Sequence, residues 1–334
     1  MKIILDVMSG DNAPLALLQG AAYAADAFPE AEITVVGNEP LIHKIALENA
    51  ISLDKLAIRH AESVIDMEDT PLCVVREKKD SSMSVGLEML KNGRGDAFVS
   101  AGNTGALIAG ATLVVRRIRG VQRAGIATIL PFPHPVLLLD SGANLLLTPE
   151  NQEQFAIMGA TYMEKIFGIE DARVGQLNNG TEYNKGMPLQ VESFLALSRS
   201  GINFVGNVES KEVPFNACDV LIVDGFLGNI VLKYTEGMGK FMLKTLKNLF
   251  YSSKAGMLSG AMLKKQVGVL KKQFDASEYG GAPLLGIAKP VIKAHGSSDA
   301  NAVKNAVRQA ISFVNTGINE DIERRLAEKS AKPQ

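Results

Sequence analysis

The sequence predicts an α/β fold in three layers, with helices on both faces of a mostly parallel sheet. Two patterns predict it. Short apolar runs rich in β-branched residues alternate with longer segments of helical period, the order that crossover connections produce. Most of those runs then end in a small polar or glycine-rich cluster, which is where open α/β sheets present loops to ligands. Composition agrees: 46% apolar and 21% charged residues over 334 positions describe a folded globular chain rather than a disordered one. At this length roughly three quarters of the unfolded surface is buried on folding, so neither disulfide nor metal is needed to complete a core.

Residues 2–7 read as the first strand, followed by strands at 33–36, 97–100, 136–139, 172–177, 203–208 and 220–223, with helices in the gaps. The first strand runs into DVMSGDNAP, which offers Asp6, Gly10 and Asp11. Later strands run into SAGNTGAL, DSGAN with Asn144, LNNGTEYNKG, GNVES and DGFLGN. In a parallel sheet such tips gather at the carboxyl edge, so one site built from the whole chain is expected. The expected partition is a single α/β body over residues 1–334, carrying a helical appendage over residues 237–280.

The tip Ser100, Gly102, Asn103, Thr104 and Gly105 precedes the helical pattern LIAGATLVV. Glycines let backbone amides approach an anion, Thr104 can cap the helix, and the helix start carries partial positive charge. The spacing is neither a dinucleotide fingerprint nor a Walker loop, and it equally describes a tight strand-to-helix turn. Asn178, Asn179, Gly180, Thr181 and Lys185 place neutral donors beside a cation, suited to a phosphate or an oxyanion and also to a surface turn. Asp224, Gly228 and Asn229 lie just before IVLKYTEG and repeat the logic of the first tip, aiming Asn229 at the crevice.

His295, among small polar neighbours in IKAHGSS, is the candidate general acid or base. His43, His60 and His134 lack such a setting. Asp6, Asp11, Asp140 and Asp224 could cage a divalent cation, orient Lys185 or cap loop amides; no metal is expected. The chain has no GxSxG, HExxH or CxxC, which removes serine-hydrolase and zinc-enzyme readings. Cys73 and Cys218 stand far apart, as reduced thiols of a cytoplasmic protein do.

Thirty-five basic against thirty-six acidic residues give a net charge of -1, so the chain as a whole is not built for nucleic acid. The charge is segregated, however: residues 237–274 hold eight lysines and no acidic residue. Lys254, Met257, Leu258, Met262, Lys264 and Lys265 give this stretch the basic amphipathic character that binds anionic lipid or an acidic protein. A helical hairpin with a solvated face is the alternative.

These motifs, together with EYGGAPLLG at 278–286 and IKAHGSS at 292–298, resemble in collinear order the bacterial phosphate acyltransferases of phospholipid synthesis. The resemblance spans nearly the whole chain. It implies the fold of isocitrate and isopropylmalate dehydrogenases and phosphate acetyltransferases, a homodimer, and peripheral association with the inner face of the cell membrane through the hairpin. It implies transfer of a long-chain acyl group from acyl carrier protein to inorganic phosphate, without nicotinamide or metal. Lys185 and Asn229 fall where that family has a functionally important lysine and asparagine. Three positions depart from the pattern: Ser9 replaces a common second glycine, Ser141 a frequent valine, and Ala124 a common proline. The alternatives are an acyltransferase using coenzyme A thioesters, a metal- and nicotinamide-dependent hydroxyacid dehydrogenase of the same fold, and a non-catalytic lipid-binding scaffold.

Overall fold

A computed structural model describes residues 1–273 and 279–331. Residues 274–278 of the expected appendage, including Glu278 of the EYGGAPLLG motif, lie outside the described residues. The chain is α/β, with helices on both faces of one eleven-stranded sheet. Its strands are β1 (Lys2–Asp6), β2 (Glu32–Gly37), β3 (Leu56–His60), β4 (Ala97–Ser100), β5 (Gly125–Leu130), β6 (Val136–Leu139), β7 (Val174–Asn178), β8 (Phe204–Glu209), β9 (Val220–Ile222), β10 (Ala282–Leu285) and β11 (Val291–Lys293). Their order across the sheet is β3-β2-β1-β4-β11-β10-β5-β6-β9-β7-β8.

Alternation along each strand assigns the two faces. Ile3, Leu5 and Val7 pack with α1 (Leu15–Ala27) and α10 (Ala300–Thr316), and Ile42 of α2 (Glu39–Glu48) joins them. Ile4 and Phe98 point the other way, onto α3 (Ser82–Lys91) and α4 (Thr104–Gly110). In the second half, Leu137, Leu139, Val220 and Ile222 meet α5 (Pro149–Phe167) and residues of α6 (Pro188–Arg199) and α11 (Ile318–Ala331). Leu138 and Leu221 on the opposite face pack near Leu232 of α7 (Gly225–Tyr251).

The seven strands expected from sequence are present, and four more complete the sheet. β3 is an edge strand whose residues LAIRH are mostly exposed, so it carries no apolar run. β10 and β11 have only four and three residues, too few to show a period. β5 is apolar and buried, but the alanine and threonine inside it dilute the signal.

The four added strands change the site. β3, β2, β1, β4 and β11 run parallel, while β10 opposes β11, β5 opposes β10, and β6 opposes β5. β6, β9, β7 and β8 then run parallel to one another. Because the number of reversals is odd, the second parallel block points against the first. The expected single carboxyl edge is therefore corrected: tips after β1, β4 and β11 leave one edge of the sheet, and tips after β6, β7 and β9 leave the other.

One helix joins the two groups. The expectation that DGFLGN is a loop ahead of the helix is also corrected, because α7 begins at Gly225 and Asp224 is its N-cap, accepting from the Phe226 and Leu227 amides at 3.0 Å each. At its start α7 presses on the β6 tip: a Cβ added to Gly228 would lie 1.9 Å from the Asp140 carbonyl oxygen. The 27 residues of α7 extend about 40 Å at 1.5 Å per residue and run on into α8 (Lys254–Met262) and α9 (Lys264–Gln273). The expected appendage thus shares its first helix with the body, and no residue of α8 is buried.

Gly228→Ala forces backbone against backbone and should lower stability by ~2–3 kcal/mol, read as a fall in Tm. Gly237→Ala, in the same helix with no atom within 4 Å of the added carbon, should leave Tm unchanged or slightly raised.

Candidate active site

The β1, β4 and β11 tips are tied into one junction. Ser100 donates its hydroxyl to the Asp6 carboxylate at 2.8 Å and accepts the Gly102 amide at 3.1 Å. The Asp11 amide donates to the Gly296 carbonyl at 2.8 Å, and Asn12 donates its side-chain amide to the carbonyls of Ser297 and Ser298. Gly10, with φ of +118°, sits where a Cβ would meet Ala101 and the Gly296 carbonyl at 3.0 and 3.1 Å. Only glycine holds that backbone conformation at such an approach. Ser9 is buried against Gly102, and its hydroxyl has no hydrogen-bond partner among the described residues.

The helix after β4 is capped by Asn103 rather than by Thr104, which is its first residue. Asn103 Oδ1 accepts the Ala106 amide, while Nδ2 donates to the carbonyls of Asp66, Met67 and Asp69. Its side chain is therefore committed to shaping the loop, and the groups it leaves for an anion are backbone amides around Thr104 and Gly105.

Two groups of the β11 tip were not singled out together in the sequence. Lys293 Nζ donates to the carbonyls of Ala101 and Ala294 at 3.2 and 2.5 Å. Burial lowers its pKa from 10.5 to about 8; Asp11 and Asp6 oppose the shift and Lys233 adds to it. His295 Nδ1 accepts the Ser297 amide at 3.2 Å and pairs with the Ser297 hydroxyl at 2.8 Å. An amide donor on Nδ1 leaves the proton on Nε2. Burial, helped by Lys233, Lys293 and Lys240 and opposed by Glu236, also holds this histidine below its ordinary pKa. At neutral pH His295 is thus a neutral Nε2–H donor, suited to hydrogen bonding more than to delivering a proton.

The opposite edge is organised around Asp140. Its carboxylate accepts the amides of Ile126, Gly142, Ala143 and Asn144 and the Asn144 side chain. Asn144 also donates to the Ala124 carbonyl, and its own carbonyl receives the Gly225 amide. Asn144 and Asp224 are therefore occupied in fixing the start of α7. After β7, Asn178 donates to the Lys185 carbonyl at 3.0 Å and accepts the Asn179 amide, while Gly180 and Thr181 stay at the surface of that loop. Lys185 is half exposed and lies 3.9 Å from Glu182, a pairing that solvent makes weak.

Asn103 and Lys185 thus belong to opposite tip groups, and no hydrogen bond or ion pair among the described residues joins them. Asn229 lies between, on α7 beside Gly142. Lys233, Glu236 and Lys240 follow it at helical spacing on the same face, and all three act, with Lys293, on His295. Helical period alone could have revealed that stripe, but reading DGFLGN as a loop detached Asn229 from it. Lys293 escaped because β11 is too short to mark the lysine as a strand-end residue.

The four aspartates considered as a cation cage are split between the two edges, Asp6 and Asp11 from Asp140 and Asp224. Among the described residues no group of three or more histidine, cysteine, aspartate or glutamate side chains could hold a metal ion. Cys73 and Cys218 are buried, and burial pushes the Cys218 thiol up to about 12, which leaves it unreactive near neutrality.

Solved structures with this fold include a phosphotransacetylase from Streptococcus pyogenes, at a TM-score of 0.58 and 16% identity, covering 97% of this chain and 94% of that one. A branched-chain phosphotransacylase from Enterococcus faecalis gives 0.52 and 13%, covering 94% and 100%. A putative 4-hydroxythreonine-4-phosphate dehydrogenase from Salmonella typhimurium also gives 0.52, at 10% identity over 93% and 99% of the two chains. Those likenesses establish the fold. Sequence relatives are nearer: a phosphate acyltransferase of Acetivibrio thermocellus is 43% identical over 95% of this chain and 94% of its own length. One from Caldicellulosiruptor bescii is 44% identical over 95% and 96%. The family model described as fatty acid synthesis protein matches residues 1–321, and the chain belongs to this family of phosphate acyltransferases.

Proposed function

We propose that the protein transfers a long-chain acyl group from the thioester of acyl carrier protein to inorganic phosphate, yielding acyl phosphate and a free thiol. The observation that carries this reading is the α7 stripe, which sets Asn229 and Lys233 on one continuous polar face opposite the amide-rich β1, β4 and β11 tips. Membership of the phosphate acyltransferase family supports the reaction class.

A phosphate oxygen attacks the thioester carbonyl; the carbon–oxygen bond forms, the tetrahedral oxyanion collapses, and the carbon–sulfur bond breaks. Phosphate near neutral pH already carries the nucleophilic charge, so alignment and fixed dipoles are what the protein must supply. Backbone amides around Gly102, Thr104 and Gly105 orient phosphate. Asn229 donates to the developing oxyanion, and Lys185, on the edge shared with the start of α7, supplies positive charge at the thioester end. His295 contributes its Nε2–H as a neutral donor, and solvent protonates the leaving thiolate.

The hairpin fits a surface partner. Met257, Leu258 and Met262 are 48, 68 and 76% exposed, and they are interleaved with Lys254, Lys264 and Lys265. No helix among the described residues is long and apolar enough to cross a membrane, so in this reading the hairpin lies against an anionic lipid surface and the protein works as a homodimer at the inner face of the cell membrane.

Mixing the protein with long-chain acyl carrier protein and phosphate, then trapping with hydroxylamine, should yield hydroxamate in a phosphate-dependent manner. A coenzyme A thioester at equal concentration should react more slowly. Lys185→Ala, checked for folding by circular dichroism, should reduce kcat/KM ~100-fold; undiminished turnover removes Lys185 from the mechanism.

Reversing charge at Lys264 and Lys265 together should weaken binding to phosphatidylglycerol vesicles by at least ~10-fold, with little change on neutral vesicles. Equal binding to both would assign those lysines to a merely solvated face.

A further inference from the structure

The cation nearest the amide-rich tips is not Lys185. Lys293 emerges at the end of β11 and is fixed by the Ala101 and Ala294 carbonyls. Two of its three ammonium hydrogens are used there, which leaves one donor. Lys233, on α7, is the charge that adds to burial in lowering the pKa of Lys293. Burying an ammonium group whose only bonded partners are two carbonyls is unfavourable unless an anion compensates it. The internal carboxylates do so incompletely: Asp6 is already bonded by Ser100 and the Met8 amide, Glu236 pairs with Lys233 at 3.7 Å, and Asp11 makes no ion pair within 4.0 Å among the described residues. Ser9, in the same junction, holds a buried hydroxyl without a partner among the described residues.

We propose that Lys293 and Lys233 form the two-cation seat for the phosphoryl group of the phosphate substrate, with the Ser9 hydroxyl as a further donor. This rests on the acyl-transfer reading above and deepens it, since it places phosphate at the β1, β4 and β11 junction and leaves Lys185 to the other end of α7. A phosphodiester on the prosthetic arm of a carrier protein offers the same chemistry, so the test separates the two sources.

The charged groups that act on Lys293 are Asp11 and Asp6 from the β1 tip and Lys233 from α7, and Lys293 in turn acts on His295, as do Glu236, Lys233 and Lys240. With a pKa of about 8, Lys293 carries its charge below that pH and loses it above. Phosphate affinity should therefore weaken between pH 7 and 9.

The full-length protein is titrated with inorganic phosphate alone and its Tm recorded, then assayed with phosphate and acyl carrier protein varied separately. In Lys293→Met the phosphate-dependent rise in Tm should vanish, and KM for phosphate should increase ~10-fold or more while KM for the acyl carrier changes less than about 2-fold. Lys293→Arg, which keeps its charge, should retain phosphate binding and flatten the alkaline rise in phosphate KM. Lys233→Met, altering an exposed residue, should weaken phosphate in the same direction and serves if Lys293→Met does not fold. An unchanged phosphate-dependent Tm in both methionine variants overturns the proposal, as does a rise in acyl-carrier KM with phosphate KM intact, which would assign the cations to the prosthetic arm. A wild type that forms no acyl phosphate yet loses its phosphate-dependent Tm rise on Lys293→Met would sink the acyl-transfer reading while leaving the phosphate seat standing.

Discussion

The placement of α7, and of Asn229 on it, depends on the contact between the start of that helix and the β6 tip. Gly228 lies against the Asp140 carbonyl so closely that no side chain fits, and the Asp140 carboxylate gathers four amides and the Asn144 side chain beneath it. A fully buried carboxylate is tolerable only when so many donors replace water. That network fixes the origin and direction of α7, and the helix then carries fixed dipoles away from the β6 tip. Since the two parallel blocks point opposite ways, no set of strand tips does this alone. What the helix does is set Asn229 beside the β6 tip and repeat charged residues along the same face beyond it.

The electrostatics follow from that placement. Lys233, Glu236 and Lys240 repeat at helical spacing from Asn229, so one face of α7 is charged while Phe226, Ile230 and Tyr234, also four residues apart, are exposed on another. The charged face meets a β11 tip that is itself partly buried, and each group there shifts the others. Lys293 and His295 are both pushed toward their neutral forms, chiefly by burial and then by neighbouring ammonium groups. A partly buried ammonium group is one that an anion stabilises, because the anion restores the charge–charge balance that desolvation removed. The same argument makes His295 a fixed donor, since the Ser297 amide on Nδ1 opposes a second ring proton.

Much of the fold was legible because its signals are local. Ile3, Leu5 and Val7 alternate with Ile4 so plainly that a strand covered on both faces is the natural reading, and the tips with glycine and asparagine follow strands as expected. What was not legible is relational. A three-residue strand such as β11 has no period, and whether it runs with or against its neighbour is decided by pairing across more than 150 positions of sequence, as between Val291 and Phe98. Missing β5, β10 and β11 concealed all three reversals and made one carboxyl edge seem sufficient. The assignment of Asn229 to a loop failed for a different reason. The two glycines of DGFLGN suggest a turn, but here Gly228 is glycine because the helix is crowded, with its backbone against Asp140.

That crowding also bears on the hairpin. A helix anchored at one end by backbone contact and continuous for 27 residues is about 40 Å long, and its far half carries Phe241, Met242 and Leu249 exposed among the lysines. Gly237, with open space around it, lies between the anchored half and the free half, at the point where a bend would cost the helix least. The β6 contact and the basic stretch are thus two ends of one continuous helix, which a partition into body and appendage divides.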